Sequence, residues 1–154
     1  MNLQEQIQVL IDHAPRDGKT PNVIRAIAPA LTAIASQLGR SQYYLLQAAA
    51  GNWIVTTLSH RIQPNVEKIV VYAFGSPEDA LTSSIAVEEH VEAIALPSTH
   101  ILFQMVAIPN LDSVVFFEAG DRVNGTEVSR QNLNQLIEQC LQQYKSAIVP
   151  PDLA

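Results

Sequence analysis

The hydrophobic pattern switches between helical and strand periods, and its densest stretch runs from His100 to Ala119. The segment HILFQMVAIPNLDSVVFFEA reads as two β-branched and aromatic runs joined by Pro109-Asn110-Leu111-Asp112, a hairpin signal. Strand alternation places Ile101, Phe103, Met105 and Ala107 with Val114 and Phe116 on one face. The other face takes Leu102, Val106, Ile108, Val115 and Phe117, diluted by His100, Gln104 and Ser113. A hairpin with one wet face should alternate apolar with polar, and this one does not, so both faces need cover.

Helical periods flank it. Leu3, Ile7, Leu10 and Ile11 fall at i, i+4, i+7, i+8, and Asn2 with Glu5 resembles a capping box, which predicts a short helix over 2–14. Thr20 as N-cap with Pro21 at the first helical position starts a second stripe, Val23, Ile24, Ile27, Leu31, Ile34, Ala35 and Leu38. Gly39 stops it, and Pro29 within it either splits it into a short turn and a second helix or, the reading favoured, kinks a single helix. Runs from Gln42 to Ala49, Asn52 to Ser59 and Val66 to Phe74, with turns at Ala50-Gly51 and Pro64-Asn65, predict a three-strand meander. Ser76-Pro77-Glu78-Asp79 opens a short helix, and Glu88 to Leu96 reads as an edge strand or an irregular connection. Ser129 caps a long helix carrying Leu133, Leu136, Ile137, Cys140, Leu141, Tyr144 and Ile148 on one face. Pro150-Pro151 ends it, with residues 150–154 expected as a frayed tail.

The fold class expected from this order is α+β. One antiparallel sheet of five to six strands (three-strand meander, short helix, two-strand hairpin) has helices packed on one face and a long amphipathic helix at the C-terminus. At 154 residues without an internal repeat or a Gly/Ser-rich linker, the expectation is one domain over 1–154.

Charge narrows the partners. Nine Lys and Arg against fifteen Asp and Glu give a net charge of −6, and the basic residues are scattered singly. Such a balance repels phosphate backbones and anionic lipid, so neither nucleic acid nor a membrane is expected as a partner. The start MNLQEQIQVLIDH lacks the pattern of a signal peptide, and no apolar run approaches the roughly 20 residues of a bilayer span, so a cytoplasmic location is expected. Asn124-Gly125-Thr126 matches a glycosylation sequon but reads better as a turn.

Candidate chemistry is sparse. His13, His60, His90 and His100 lie far apart, and none sits in a metal-binding spacing. An extended Glu88-Glu89-His90-Val91-Glu92 would bring Glu88, His90 and Glu92 to one face, as an acid/base or metal site requires; an edge blunted by charge is the plainer reading. The six glycines form no phosphate loop, Ser76 reads as a helix cap, and Cys140 reads as a small core residue. No catalytic, cofactor-binding or metal residue is assigned, and no cofactor is expected.

The element order, carried by the meander from Gln42 to Phe74, the Ser76-Pro77-Glu78-Asp79 helix, the run from His100 to Glu118 and the helix from Ser129, resembles the type III secretion chaperone-like superfamily. That family is recognised by topology rather than by signature residues, so the resemblance transfers no site. The two-sided apolar hairpin, together with the absence of a catalytic constellation, points to a non-enzymatic protein-interaction or chaperone-like module, a homodimer holding a partner polypeptide. The alternative is a small-molecule-binding or regulatory domain, roadblock-like or profilin-like. A third reading is an enzyme using the Glu88–Glu92 region and His100. The residues assigned to the partner are Leu102, Val106, Val115 and Phe117, because their face of the expected hairpin is apolar yet interrupted. The competing cover for that face is residues 2–14 or 85–99 of the same chain.

Overall fold

The computed structural model describes residues 2–59, 67–83, 91–121 and 124–148, and the class is α+β. In chain order the elements are α1 (Leu3–Asp12), α2 (Thr20–Ala35), β1 (Gln42–Gln47), β2 (Thr56–Ser59), β3 (Glu67–Ala73), α3 (Pro77–Leu81), β4 (Glu92–Pro97), α4 (Ser98–Met105), β5 (Ser113–Phe116), β6 (Thr126–Ser129) and α5 (Arg130–Ile148).

Three helices start where short polar side chains can satisfy their free N–H groups. Asn2 Oδ1 accepts from Glu5 N at 2.8 Å, Ser76 Oγ from Asp79 N at 3.1 Å, and Ser129 Oγ from Asn132 N at 3.1 Å. The start of α2 differs from expectation. Thr20 is already helical, and the capping group is Asp17, whose carboxylate accepts from the Thr20 hydroxyl (2.6 Å), Thr20 N (2.7 Å) and Lys19 N (2.9 Å). Those bonds, led by the Thr20 hydroxyl, hold the Asp17 carboxyl down at about 2. The helix runs unbroken through Pro29 and stops at Ala35, short of Gly39. There the Thr32 hydroxyl turns back onto the carbonyls of Ala28 and Pro29.

The largest correction concerns the central hairpin, which does not form. Its first half is a helix: Ile101, Leu102 and Met105 are fully buried at i, i+1, i+4 while Gln104 and Ala107 face solvent. Only Ser113–Phe116 is a strand, and it pairs with β3 in parallel (Val71 beside Val114, Ala73 beside Phe116) and with β6 antiparallel. The expected single antiparallel sheet is therefore two: antiparallel β1-β4, and a mixed sheet in the order β2-β3-β5-β6.

Elements of the meander survive within this arrangement. β2 and β3 pair antiparallel, and Gln47 bridges to Trp53 across the turn after β1. Tyr44 N and O exchange hydrogen bonds of 2.8 Å with Phe74, joining the two sheets at one point. The ambiguous segment resolves in part: Glu92–Pro97 is a strand paired to β1, from Gln42↔Pro97 to Gln47↔Glu92.

Strand pairing fixes two faces that continue through the Tyr44–Phe74 junction. One face carries Tyr43, Leu45, Val71, Ala73, Val114, Phe116 and Val128, all buried in a cluster with Ile7 of α1, the α2 residues Ile24, Ile27 and Leu31, the α4 residues Ile101, Leu102 and Met105, and Leu133 of α5. Tyr43 meets Phe116 edge-on at 4.9 Å. Among the described residues four helices thus lie on one side, and α3 contributes its buried Ala80 to the other, a departure from the expected packing of helices on one face.

Candidate interaction face

The side that, among the described residues, bears only α3 is built from alternate residues of the same strands. Tyr72 and Phe74 of the β3 run stand beside Val115 and Phe117, and their rings form a cluster: Tyr72–Phe117 at 5.7 Å, Phe74–Phe117 at 5.8 Å, Tyr72–Phe74 at 6.3 Å. Leu46, Ala80, Tyr44, Ala93 and Val91 close over one end, leaving Phe117 only 7% exposed. At the other end the cover thins. Tyr72, Val115 and Ile54 are half-buried, and Leu58 on the neighbouring strand is 41% exposed. Gly125 presses down here, because a Cβ on it would stand 2.5 Å from Val115 Cγ1 and 2.9 Å from the Phe117 ring.

Beyond the apolar patch the same face becomes charged. Lys68 and Glu127 form an ion pair, and Ser113 Oγ donates to Glu127 at 2.5 Å. The Lys68 contact, with Ser113 behind it, lowers the Glu127 pKa below its ordinary 4.5. An open groove of about 580 Å³ continues from this pair towards the start of α5, past Asp112, Arg130 and Glu138. Asp112 Oδ2 there accepts from Ile69 N at 2.7 Å, and Arg130 Nη2 donates to the Val106 carbonyl at 3.0 Å.

The four residues assigned to a partner do not share a surface. Leu102 is fully buried among the helices, and Val106 is half-buried just past α4 on that same side. Val115 and Phe117 belong to the opposite face. The assignment rested on strand alternation through 100–107, and the helix there rotates Leu102 and Val106 into the core. Tyr72, Ile54 and Leu58 were missed. Their signal lies in the β2 and β3 runs, but a half-buried strand face looks the same in sequence whether a helix covers it or not.

Other candidates are accounted for by structure. His100 lies in the first turn of α4 with Nε2 2.9 Å from the Gln6 carbonyl; Glu92 is exposed at the start of β4, and His13 is exposed. Glu88, Glu89, His90 and His60 lie outside the described residues, as do the Pro64-Asn65 turn and the 150–154 tail. Ser76 Oγ caps α3. Cys140 is half-buried rather than buried. Tyr43 donates its hydroxyl to Glu118 Oε1 at 3.2 Å while accepting from Arg40 N; burial first, then the Glu118 charge, pushes its pKa up to about 12, so it stays a donor. Among the described residues no group of three or more His, Cys, Asp or Glu could hold one metal ion, and no helix is long and apolar enough to cross a membrane.

Neither a protein-family model nor a curated protein matches the chain.

Proposed function

We propose that the chain is a non-enzymatic protein-interaction module, similar in role to secretion chaperones, and that it works as a homodimer holding a partner polypeptide. The observation that carries this reading is the uneven sheet. One face lies under four helices, while the other bears only α3 among the described residues and ends in half-buried Tyr72, Val115 and Ile54 beside exposed Leu58. Apolar residues grouped on a sheet face are the usual mark of an interface. The aromatic cluster beneath gives that patch a rigid floor, a property shared with anchor sites at protein interfaces. The secretion-chaperone likeness belongs to the same proposal. It rests on element order, and the helix at 98–105 in place of a first hairpin strand sets this chain apart from the simple pattern.

Light scattering on the wild type and on Leu58→Glu tests the reading. A dimeric wild type and a folded, monomeric variant are expected. A wild type that is monomeric, and that recovers no recurrent polypeptide partner from its native extract, removes the proposal.

A further inference from the structure

The N-terminal helix is fastened differently from the rest of the helical layer. Of its ten residues only Gln6 and Ile7 are buried; Leu3, Leu10 and Ile11 are half-buried against the core. Gln6 is fully buried and polar. Its Nε2 donates to the Ser41 carbonyl at 3.0 Å. Its Oε1 accepts from Thr99 Oγ1 (2.7 Å), Thr99 N (3.0 Å) and Ser98 Oγ (3.4 Å), and His100 Nε2 meets its backbone carbonyl. One glutamine thus ties α1 to the start of α4 and to the loop before β1.

The tether behind it is exposed and held by local bonds. Residues 15–19 are all exposed, Gly18 turns through a φ of +78°, and Asp17 bonds forward to Lys19 and Thr20. In contrast, α2 buries Ile24, Ile27, Ala30, Leu31 and Ala35.

The physics of the two attachments differs. Undocking α2 would expose five buried apolar residues, whereas undocking α1 would expose one, Ile7, together with the half-buried sides of Leu3, Leu10 and Ile11. It also returns the amide, hydroxyl and carbonyl groups of the clamp to water, which replaces their bonds nearly in kind. A buried polar network is also cooperative: it holds when complete and weakens sharply when one member goes. We propose that α1 is a releasable strap, latched by the Gln6 clamp, which opens as a unit while the sheet and the other helices stay folded. Opening uncovers the sides of α2 and α4 against which it lies. This stands apart from the proposed partner face, which is on the other side of the sheet.

Native-state hydrogen exchange on the full chain tests it. In the wild type, the amides of Ile7 to Asp12 should be at least about tenfold less protected than those of β3 and the first half of α5. Gln6→Ala should speed α1 exchange by a further ~10-fold or more, the effect of deleting a buried hydrogen-bonding group, and leave the β3 and α5 rates unchanged. Thr99→Val, which removes one hydroxyl from the clamp and keeps its volume, should act in the same direction and less. Equal protection of α1 and β3 in the wild type would overturn the strap. So would a uniform loss of protection across all elements in both variants, since the clamp would then be ordinary core.

Discussion

The two faces of the sheet are made by the same strands and differ in what a side chain there must do. Val71, Ala73, Val114 and Phe116 stand beneath helices at 2% exposure or less. Their neighbours one residue along, Tyr72, Phe74, Val115 and Phe117, share a smaller cluster with α3 and β4 and range from buried to half-exposed. A period-2 pattern sends residues to both faces but does not say which will be packed. Here the packed face is the one that four helices cover, and even its large rings, Tyr43 and Phe116, are buried there edge-on. The rings on the other face fill space by stacking on one another.

Substituting charge separates the faces most sharply. Leu102→Glu places a carboxylate among fully buried residues and is expected to cost about 4 kcal/mol or more, enough to abolish cooperative folding in urea or by circular dichroism. Leu58→Glu, on a residue 41% exposed, should leave the chain cooperatively folded, its loss limited to the subunit association it removes. If the two behaved alike, Leu58 would be as much a part of the core as Leu102.

Truncation gives a graded version. Phe116→Ala removes a ring packed edge-on against Tyr43 and should cost about 3–5 kcal/mol, whereas Val115→Ala on the half-buried side should cost about 1 kcal/mol. Equal losses at the adjacent positions would mean that the α3 side is packed as tightly as the other. Gly125→Ala sharpens the point. Its new methyl group must displace Val115 or the Phe117 ring, so a loss of about 1–3 kcal/mol in urea unfolding is expected where the loop borders the patch. A neutral outcome would show that the loop yields without disturbing Val115 or the Phe117 ring.

Much of this architecture is legible in sequence, because caps and long stripes are local. Asn2, Ser76 and Ser129 mark their helix starts, and Leu133, Ile137 and Leu141 lie along the inward side of α5. The 100–107 run was misread for a physical reason. An apolar segment of eight residues fits alternation and helical spacing alike, and β-branched Ile101 and Val106 weigh towards strand. The deciding signs are polar Gln104 and exposed Ala107 three residues apart, and Pro97 and Pro109 bracketing two turns of helix. Parallel pairing of β3 with β5 and the Gln6 clamp join residues dozens apart, and no local pattern encodes either. The candidate face was half legible. Val115 and Phe117 could be read from their own strand, whereas Tyr72 and Leu58 become its neighbours only through sheet pairing.

The smallest expected effect lies at the charged end of the α3 side, where Lys68 and Glu127 replace the packing that secures the opposite face. Both are well exposed, at 46% and 41%, so their pair is worth less than about 1 kcal/mol. Its pH dependence has a definite sign. Because Lys68 and Ser113 lower the Glu127 pKa on folding, the contribution is fully present above the ordinary carboxylate value of 4.5 and is lost as pH falls through the lower folded value. Glu127→Gln keeps the side-chain shape and removes the charge. The stability gap between wild type and variant, read from urea midpoints, should therefore be largest near neutrality, shrink below pH 4.5 and narrow in 1 M salt. A gap that is constant across pH and salt would show that Glu127 acts through its hydrogen bond from Ser113 and not through its charge. The edge of the face would then be held by a neutral polar contact, and the ion pair would have no part in the contrast between the two sides.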